Sequence, residues 1–311
     1  NVYEESVLHC AVDSENVDSL KVILAIFPAS QLLQVVCRRD HQHGQSLLHH
    51  VARFGNFEAL KNIVALLPPT ADHEQFVNIQ DDNGRTLLHC AASSTKCNQF
   101  DSIRLILSLV PEEHRLQFVN MEDHRGNIAL HSAARSGCAE SIKLMLSIFP
   151  ESEHLHVVCK PDERGMTVLH CAANSCNPES IKVLLDAVPE SQHLEVVSVP
   201  DEQGRTALHC AANSGNCELV QAILESLTES ERIQAVMIRN VSYETVFHCV
   251  ARSDNIEMIN AILSIFPESE RLQVVCMQEK HGRTALHCAV ISHKLEAVRT
   301  ILHSIPEIQR L

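Results

Sequence analysis

The sequence predicts an all-α repeat protein, and three observations lead there. A short pattern built on a Leu-His or Phe-His pair recurs eight times, centred on His9, His49, His89, His131, His170, His209, His248 and His287. Successive histidines stand 40, 40, 42, 39, 39, 39 and 39 residues apart. Apolar residues within a copy fall at i, i+3 and i+4, the spacing of a helix face. A nearly fixed period of this length is the mark of stacked repeats. A stack grows by adding units and needs no second core, so residues 1–311 are expected to form one domain.

Residues 201–239 show the elements of one repeat. Asp201-Glu-Gln-Gly204 reads as a tight turn, with Gly204 free to take a positive φ. Thr206 suits an N-cap, its hydroxyl accepting an orphan backbone N–H of the helix that follows. Leu208, Ala211 and Ala212 share one face of that short helix, and the two alanines allow close helix approach. Ser214-Gly215-Asn216 ends it, with Gly215 as the residue past the C-cap. A second helix over about Cys217 to Ser226 carries Leu219, Val220, Ile223 and Leu224 at helical spacing. Thr228 to Val236 then reads as a short third helix. Its relatives begin Pro150-Glu-Ser, Pro189-Glu-Ser and Pro267-Glu-Ser, and proline at the first helical position followed by acids is a helix start.

The Gly-x-Thr-x-Leu-His-x-Ala-Ala pattern resembles the ankyrin repeat along the whole chain. Three features depart from the family. Its proline before Leu is replaced, for example by Ala207, Val168 and Ala285. The period is about six residues longer than the usual 33. The segment after the second helix is the Pro-Glu-Ser helix. Each repeat is therefore expected to be a helix-turn-helix with a finger turn and a third helix in the outer loop. The resemblance implies that the motif histidine is structural, linking neighbouring turns by hydrogen bonds.

The copies differ. Between Ala92 and Ile103 the third carries three more residues than its siblings, which lengthens the turn joining its first two helices. The seventh has Tyr243 where Gly204 stands, so the turn is either strained or rebuilt. The first has Glu4 there. Val290, Ile291 and Ile301 give the eighth no polar face, and Leu311 falls within its third helix, so the chain is expected to continue.

Composition narrows the function. The formal net charge of −14 argues against nucleic acid and anionic membranes as partners. No apolar run reaches the roughly 18 residues of a membrane span. Of 13 cysteines, six directly follow a motif histidine and Cys37, Cys159 and Cys276 share another position. Equivalent positions in stacked helices lie about 8–10 Å apart, too far for a disulfide. The cysteines are expected to be small, buried and reduced, which fits a cytoplasmic protein. The same spacing, and the divergence of adjacent side chains on a helix, disfavour zinc or a Cys–His nucleophile in the His-Cys pairs. No catalytic motif is present, so no enzyme activity, cofactor or metal is expected. The pairs Asp81-Asp82 and Glu112-Glu113 read as solvated turn or helix-start residues.

Ankyrin-like proteins bind partners through the concave side formed by fingers and first helices. Two columns there are expected to be free of structural duty. One follows the finger position: Glu5, Gln45, Arg85, Asn127, Met166, Arg205, Glu244 and Arg283. The other follows the Ala-Ala pair: Asp13, Arg53, Ser93, Arg135, Asn174, Asn213, Arg252 and Ile291. Arg53, Arg85, Arg135, Arg205, Arg252 and Arg283 are the candidate partner-binding residues, suited to an acidic or phosphorylated protein segment. Pairing with local acids such as Asp201 and Glu202 is the competing account. Tyr243, one of two tyrosines in a chain without tryptophan, is a candidate aromatic anchor.

The expected function is a monomeric protein-interaction module. A second possibility is the substrate-recognition arm of a multidomain enzyme whose catalytic part lies outside these residues. The long Pro-Glu-Ser repeats are also similar in style to ankyrin effectors that intracellular bacteria such as Legionella deliver into host cells, which implies action in a host cytosol.

Overall fold

A computed structural model describes residues 7–14, 16–40, 43–67, 76–96, 99–253 and 255–305. Glu4, Glu5, the side chain of Asp13 and the eighth third helix up to Leu311 lie outside the described residues. Among the described residues every element is helical, and pairing of extended chain is limited to two isolated bridges, Arg39 with Ser46 and Pro161 with Thr167. The chain divides into two compact units, Asn1–Pro150 and Glu151–Leu311.

The finger at residues 201–205 is closed by backbone bonds from Asp201 N–H to the Arg205 carbonyl and from Gly204 N–H to the Asp201 carbonyl, both 2.8 Å. Asp201 Oδ1 also accepts the N–H groups of Gln203 and Arg205 at 2.9 and 2.8 Å. Gly204 has φ +70°, and a Cβ there would meet the Val241 backbone nitrogen at 2.9 Å. Glycine is thus required both for its dihedral and because the next finger passes against it. Fingers are bonded in sequence: Val241 N–H donates to the Gln203 carbonyl at 2.9 Å and Lys280 N–H to the Ser242 carbonyl at 2.9 Å.

The first helix, Ala207–Ser214, is nearly enclosed, with Ala207, Leu208, Ala211 and Ala212 fully buried. Truncating a leucine of such a layer costs about 2–5 kcal/mol. Gly215 stops the helix at φ +76°. The second helix, Cys217–Glu225, begins at Asn216, whose Oδ1 accepts the Glu218 N–H at 2.9 Å. Asn16, Asn56, Asn177 and Asn255 cap their second helices in the same way. The third helix is Glu229–Met237.

Two local expectations are corrected. Pro111, Pro189 and Pro267 occupy the N-cap with extended ψ values of 144°, 139° and 147°, one residue before the expected first helical position. Proline's fixed φ suits that extended entry as well as the first turn. After Pro150 and Pro189 the third helix opens with a 3-10 turn, Glu151–Glu153 and Glu190–Gln192.

The third helices have a role the sequence reading missed. Arg232 Nε donates to the Leu224 carbonyl at 2.7 Å. Arg115 Nε reaches the Leu107 and Val110 carbonyls, both at 3.1 Å. Arg271 repeats this on Leu263 and Phe266 at 3.1 and 3.3 Å. His193 Nε2 lies 3.0 and 3.1 Å from the Leu185 and Val188 carbonyls. A cation-capable residue at the fifth position of the segment thus satisfies the orphan carbonyls at the C-terminus of the second helix.

Candidate functional site

The motif histidines are framework. Backbone N–H groups can only donate, and His49, His170, His209 and His248 each take one on Nδ1, from Ser46, Thr167, Thr206 and Thr245, at 3.2 Å. The ring proton therefore sits on Nε2 and is donated across to the following repeat. His89 reaches the Asn127 carbonyl at 2.9 Å, His170 the Arg205 carbonyl at 2.9 Å and His209 the Glu244 carbonyl at 3.3 Å. Thr206 occupies the N-cap in a capping box with His209, its hydroxyl facing the His209 backbone N–H and also lying 2.9 Å from His209 Nδ1. Burial lowers the pKa values of His49 and His209 to about 4, so both rings are neutral near pH 7.

Three of the adjacent cysteines are equally unreactive. Burial pushes Cys90 and Cys249 up to about 12 and Cys210 to about 11, so the nucleophilic thiolate is absent near neutral pH. All described cysteines are free thiols. The expectation that they are buried fails at Cys10 and Cys276, which are exposed, and at Cys37 and Cys159, which are half-buried. Cys159 and Cys276 are the C-cap residues of third helices, at the edge of the packed layer.

The candidate arginines fall into two groups. Arg85, Arg205 and Arg252 are held by their own fingers. Arg85 donates from Nε and Nη2 to Asp81 at 2.9 and 2.7 Å. Arg205 makes the matching pair with Asp201 at 2.9 and 2.7 Å, and Arg252 pairs with Glu244. Asp81 is buried, not solvated as its turn position suggests. Burial would raise its pKa, but hydrogen bonds from Arg85 and Gln45 outweigh that and hold it below the ordinary value. Arg53, Arg135 and Arg283 are exposed. The column after the finger glycine is not free throughout. Gln45 and Asn127 are buried; Gln45 donates to Asp81 at 3.1 Å and Asn127 bonds Asp123 at 3.2 Å.

In the N-terminal unit the structure brings several of these residues together. Arg53, Phe54, Arg85, Ser93, Thr95 and Lys96 line one shallow depression. Arg85, Ser93, Asp123, Arg125 and Arg135 line a second, and the shared Arg85 and Ser93 join the two into one groove. The Asp123 carboxylate is engaged inside its finger, accepting the N–H groups of Arg125 and Asn127 at 2.8 and 2.9 Å. Ser93, Thr95 and Lys96 belong to the lengthened turn of the third repeat, so the insertion noted in sequence supplies one wall.

In the C-terminal unit Tyr243 keeps the finger intact rather than rebuilding it. Its φ is +60°, its N–H donates to the Asn240 carbonyl at 2.8 Å, and 54% of its surface is exposed. Phe247 is fully buried in the first helix. Val241 on the same finger is 61% exposed. In the eighth copy Val290 and Ile291 are exposed as expected, whereas Ile301 is buried.

A family model described as ankyrin repeats (3 copies) matches residues 8–114, 78–154, 97–195, 130–237 and 231–310. No curated protein matches the chain.

Proposed function

The chain belongs to the ankyrin-repeat family, and on that premise we propose that it is a protein-binding module whose N-terminal unit takes an acidic or phosphorylated segment of a partner. Ankyrin repeats are in general protein-interaction modules, and no helix among the described residues is long and apolar enough to cross a membrane. The observation that carries the reading is the groove. A chain of net charge −14 gathers exposed Arg53, Lys96, Arg125 and Arg135 around it. Two carboxylates of the same region, Asp81 and Asp123, are engaged within their fingers. Guanidinium forks match carboxylate and phosphate oxygens, and a local positive field in an acidic protein favours the approach of such a segment.

In the C-terminal unit the same reading assigns contact to Arg283 and to Tyr243, with Arg205 and Arg252 setting the shape of their fingers. The free thiols support a reducing compartment. The likeness of the Pro-Glu-Ser repeats to bacterial ankyrin effectors supports a place in a host cytosol.

The test is a library of soluble peptides, graded in Asp/Glu content and with phosphoserine or phosphothreonine at set positions, screened by fluorescence polarisation. Acidic or phosphorylated members should bind with an affinity that falls as salt rises. Selection of neutral, apolar peptides with salt-independent affinity would contradict the proposal.

A further inference from the structure

The first two repeats bring together three side chains that the binding function does not use. His9 lies on the helix Val7–Asp13, Asp40 at the second finger, and His50 on the helix Leu47–Arg53. One ligand atom from each falls within 4.8 Å of the other two. His50 Nε2 is 3.2 Å from Asp40 Oδ2, and the two side chains are only 16% and 9% exposed. His9 is 6% exposed, and its ring meets that of His50 edge-on with centroids 4.5 Å apart. The second Asp40 oxygen accepts the His43 N–H at 2.7 Å, which fixes the carboxylate's orientation.

This cluster arises where two repeat rules are broken together. His50 stands in the position after the motif histidine, which is cysteine in six copies. In the third and sixth copies the finger acid takes the finger arginine, Asp81 with Arg85 and Asp201 with Arg205. In the second copy the arginine's place is held by Gln45, which turns to Asp81, and Asp40 faces His50 instead. Hydrogen bonding leaves the buried Nδ1 of His50 without a partner.

We propose that His9, Asp40 and His50 form a three-ligand site for a divalent transition metal of the zinc class, tying the first repeat to the second. Two imidazole nitrogens and one carboxylate oxygen are a donor set for zinc, cobalt or nickel rather than for calcium or magnesium. Zinc ligands at about 2.0–2.2 Å stand roughly 3.3 Å apart around the metal, so closure needs a contraction of at most about 1.5 Å, within reach of side-chain rotation. Three protein ligands leave a fourth position for water. The ladder of His-Cys pairs supplies only His9: the three ligands come from three different repeat positions, which is why reading the pairs alone predicts no metal.

The test uses the whole chain, stripped with chelator and kept reduced, titrated with Co2+ and then Zn2+. Tetrahedral Co2+ on nitrogen and oxygen gives visible d–d bands without the near-ultraviolet thiolate charge-transfer band that the cysteines would produce. One equivalent should bind. Zn2+ should raise the melting temperature of the wild type by mass action. His50→Gln and Asp40→Asn should each weaken binding by more than about tenfold, while Cys210→Ser leaves it unchanged. Helical circular dichroism checks folding. Asp40→Asn keeps an acceptor for the His50 N–H, and it decides the matter if His50→Gln is misfolded. Absence of stoichiometric d–d bands, a charge-transfer band in their place, or binding unchanged in Asp40→Asn would overturn the proposal.

Discussion

The Nε2 of His170 lies 2.9 Å from the carbonyl oxygen of Arg205, 35 residues further along the chain. Because His170 Nδ1 accepts the Thr167 N–H, this bond has a fixed direction, from ring to carbonyl. One neutral imidazole therefore joins the start of its own first helix to the finger of the next repeat. His170→Ala leaves the Thr167 N–H without its partner and removes one of the two donors to the Arg205 carbonyl, which keeps the Asp201 N–H. It should lower the unfolding free energy by about 2–4 kcal/mol, read from the urea midpoint at unchanged slope.

The same geometry sets a pH dependence. Burial depresses His49 and His209 to about 4 in the folded chain, against an ordinary 6.5. Between these values the unfolded chain binds more protons, so acid favours unfolding. Stability from this source should be full above about pH 6.5, fall as pH drops towards 4, and level off below it. Each histidine contributes up to about 3 kcal/mol. His89, His170 and His248 are shifted in the same direction. Urea unfolding at a series of pH values should show that decline, and a shallower decline in His209→Gln than in wild type over the same window would identify the share of that ring.

Tyr243 holds a left-handed conformation that in the other described fingers belongs to glycine. A non-glycine residue there costs about 1–2 kcal/mol. Tyr243→Gly should therefore raise thermal stability by roughly that amount, while weakening any partner that uses the exposed ring. Differential scanning calorimetry reads the first effect.

Arg232 spans from the third helix to the Leu224 carbonyl at the end of the second. Arg232→Met keeps the aliphatic stem and removes the donor. It should cost about 1–3 kcal/mol and speed amide exchange in Glu229–Met237 before the first helices are affected.

The period, the helix positions and the finger glycines were legible in the sequence because each is a local signal: Gly204 by its turn, Gly215 by its place after a helix, Leu208 and Ala211 by spacing. The cationic caps were not. Arg115, His193 and Arg232 sit on polar surface of a short helix, and only the packing of that helix on the preceding one supplies their carbonyl partners. The same limit applies to the two arginine columns. Arg205 and Arg252 look alike in sequence to Arg53 and Arg135, and only the fold shows that Asp201 and Glu244 bind the first two into their fingers. The groove needed the fold to bring Lys96, from an inserted turn, beside Arg85. His9, Asp40 and His50 were invisible as a set because they belong to different positions in two repeats.

The proposed recognition resides in the groove of the N-terminal unit. The most direct measurement is the affinity of the tightest peptide from the acidic and phosphorylated library for wild type, for Arg53→Glu/Arg135→Glu and for Arg104→Glu/Arg299→Glu, whose exposed arginines lie on second helices. The groove variant should lose at least about a hundredfold, since two charge-assisted contacts of about 1.5–3 kcal/mol each are removed. The second-helix variant should stay close to wild type. Equal losses in both, or none in the groove variant with its fold intact, would contradict the account.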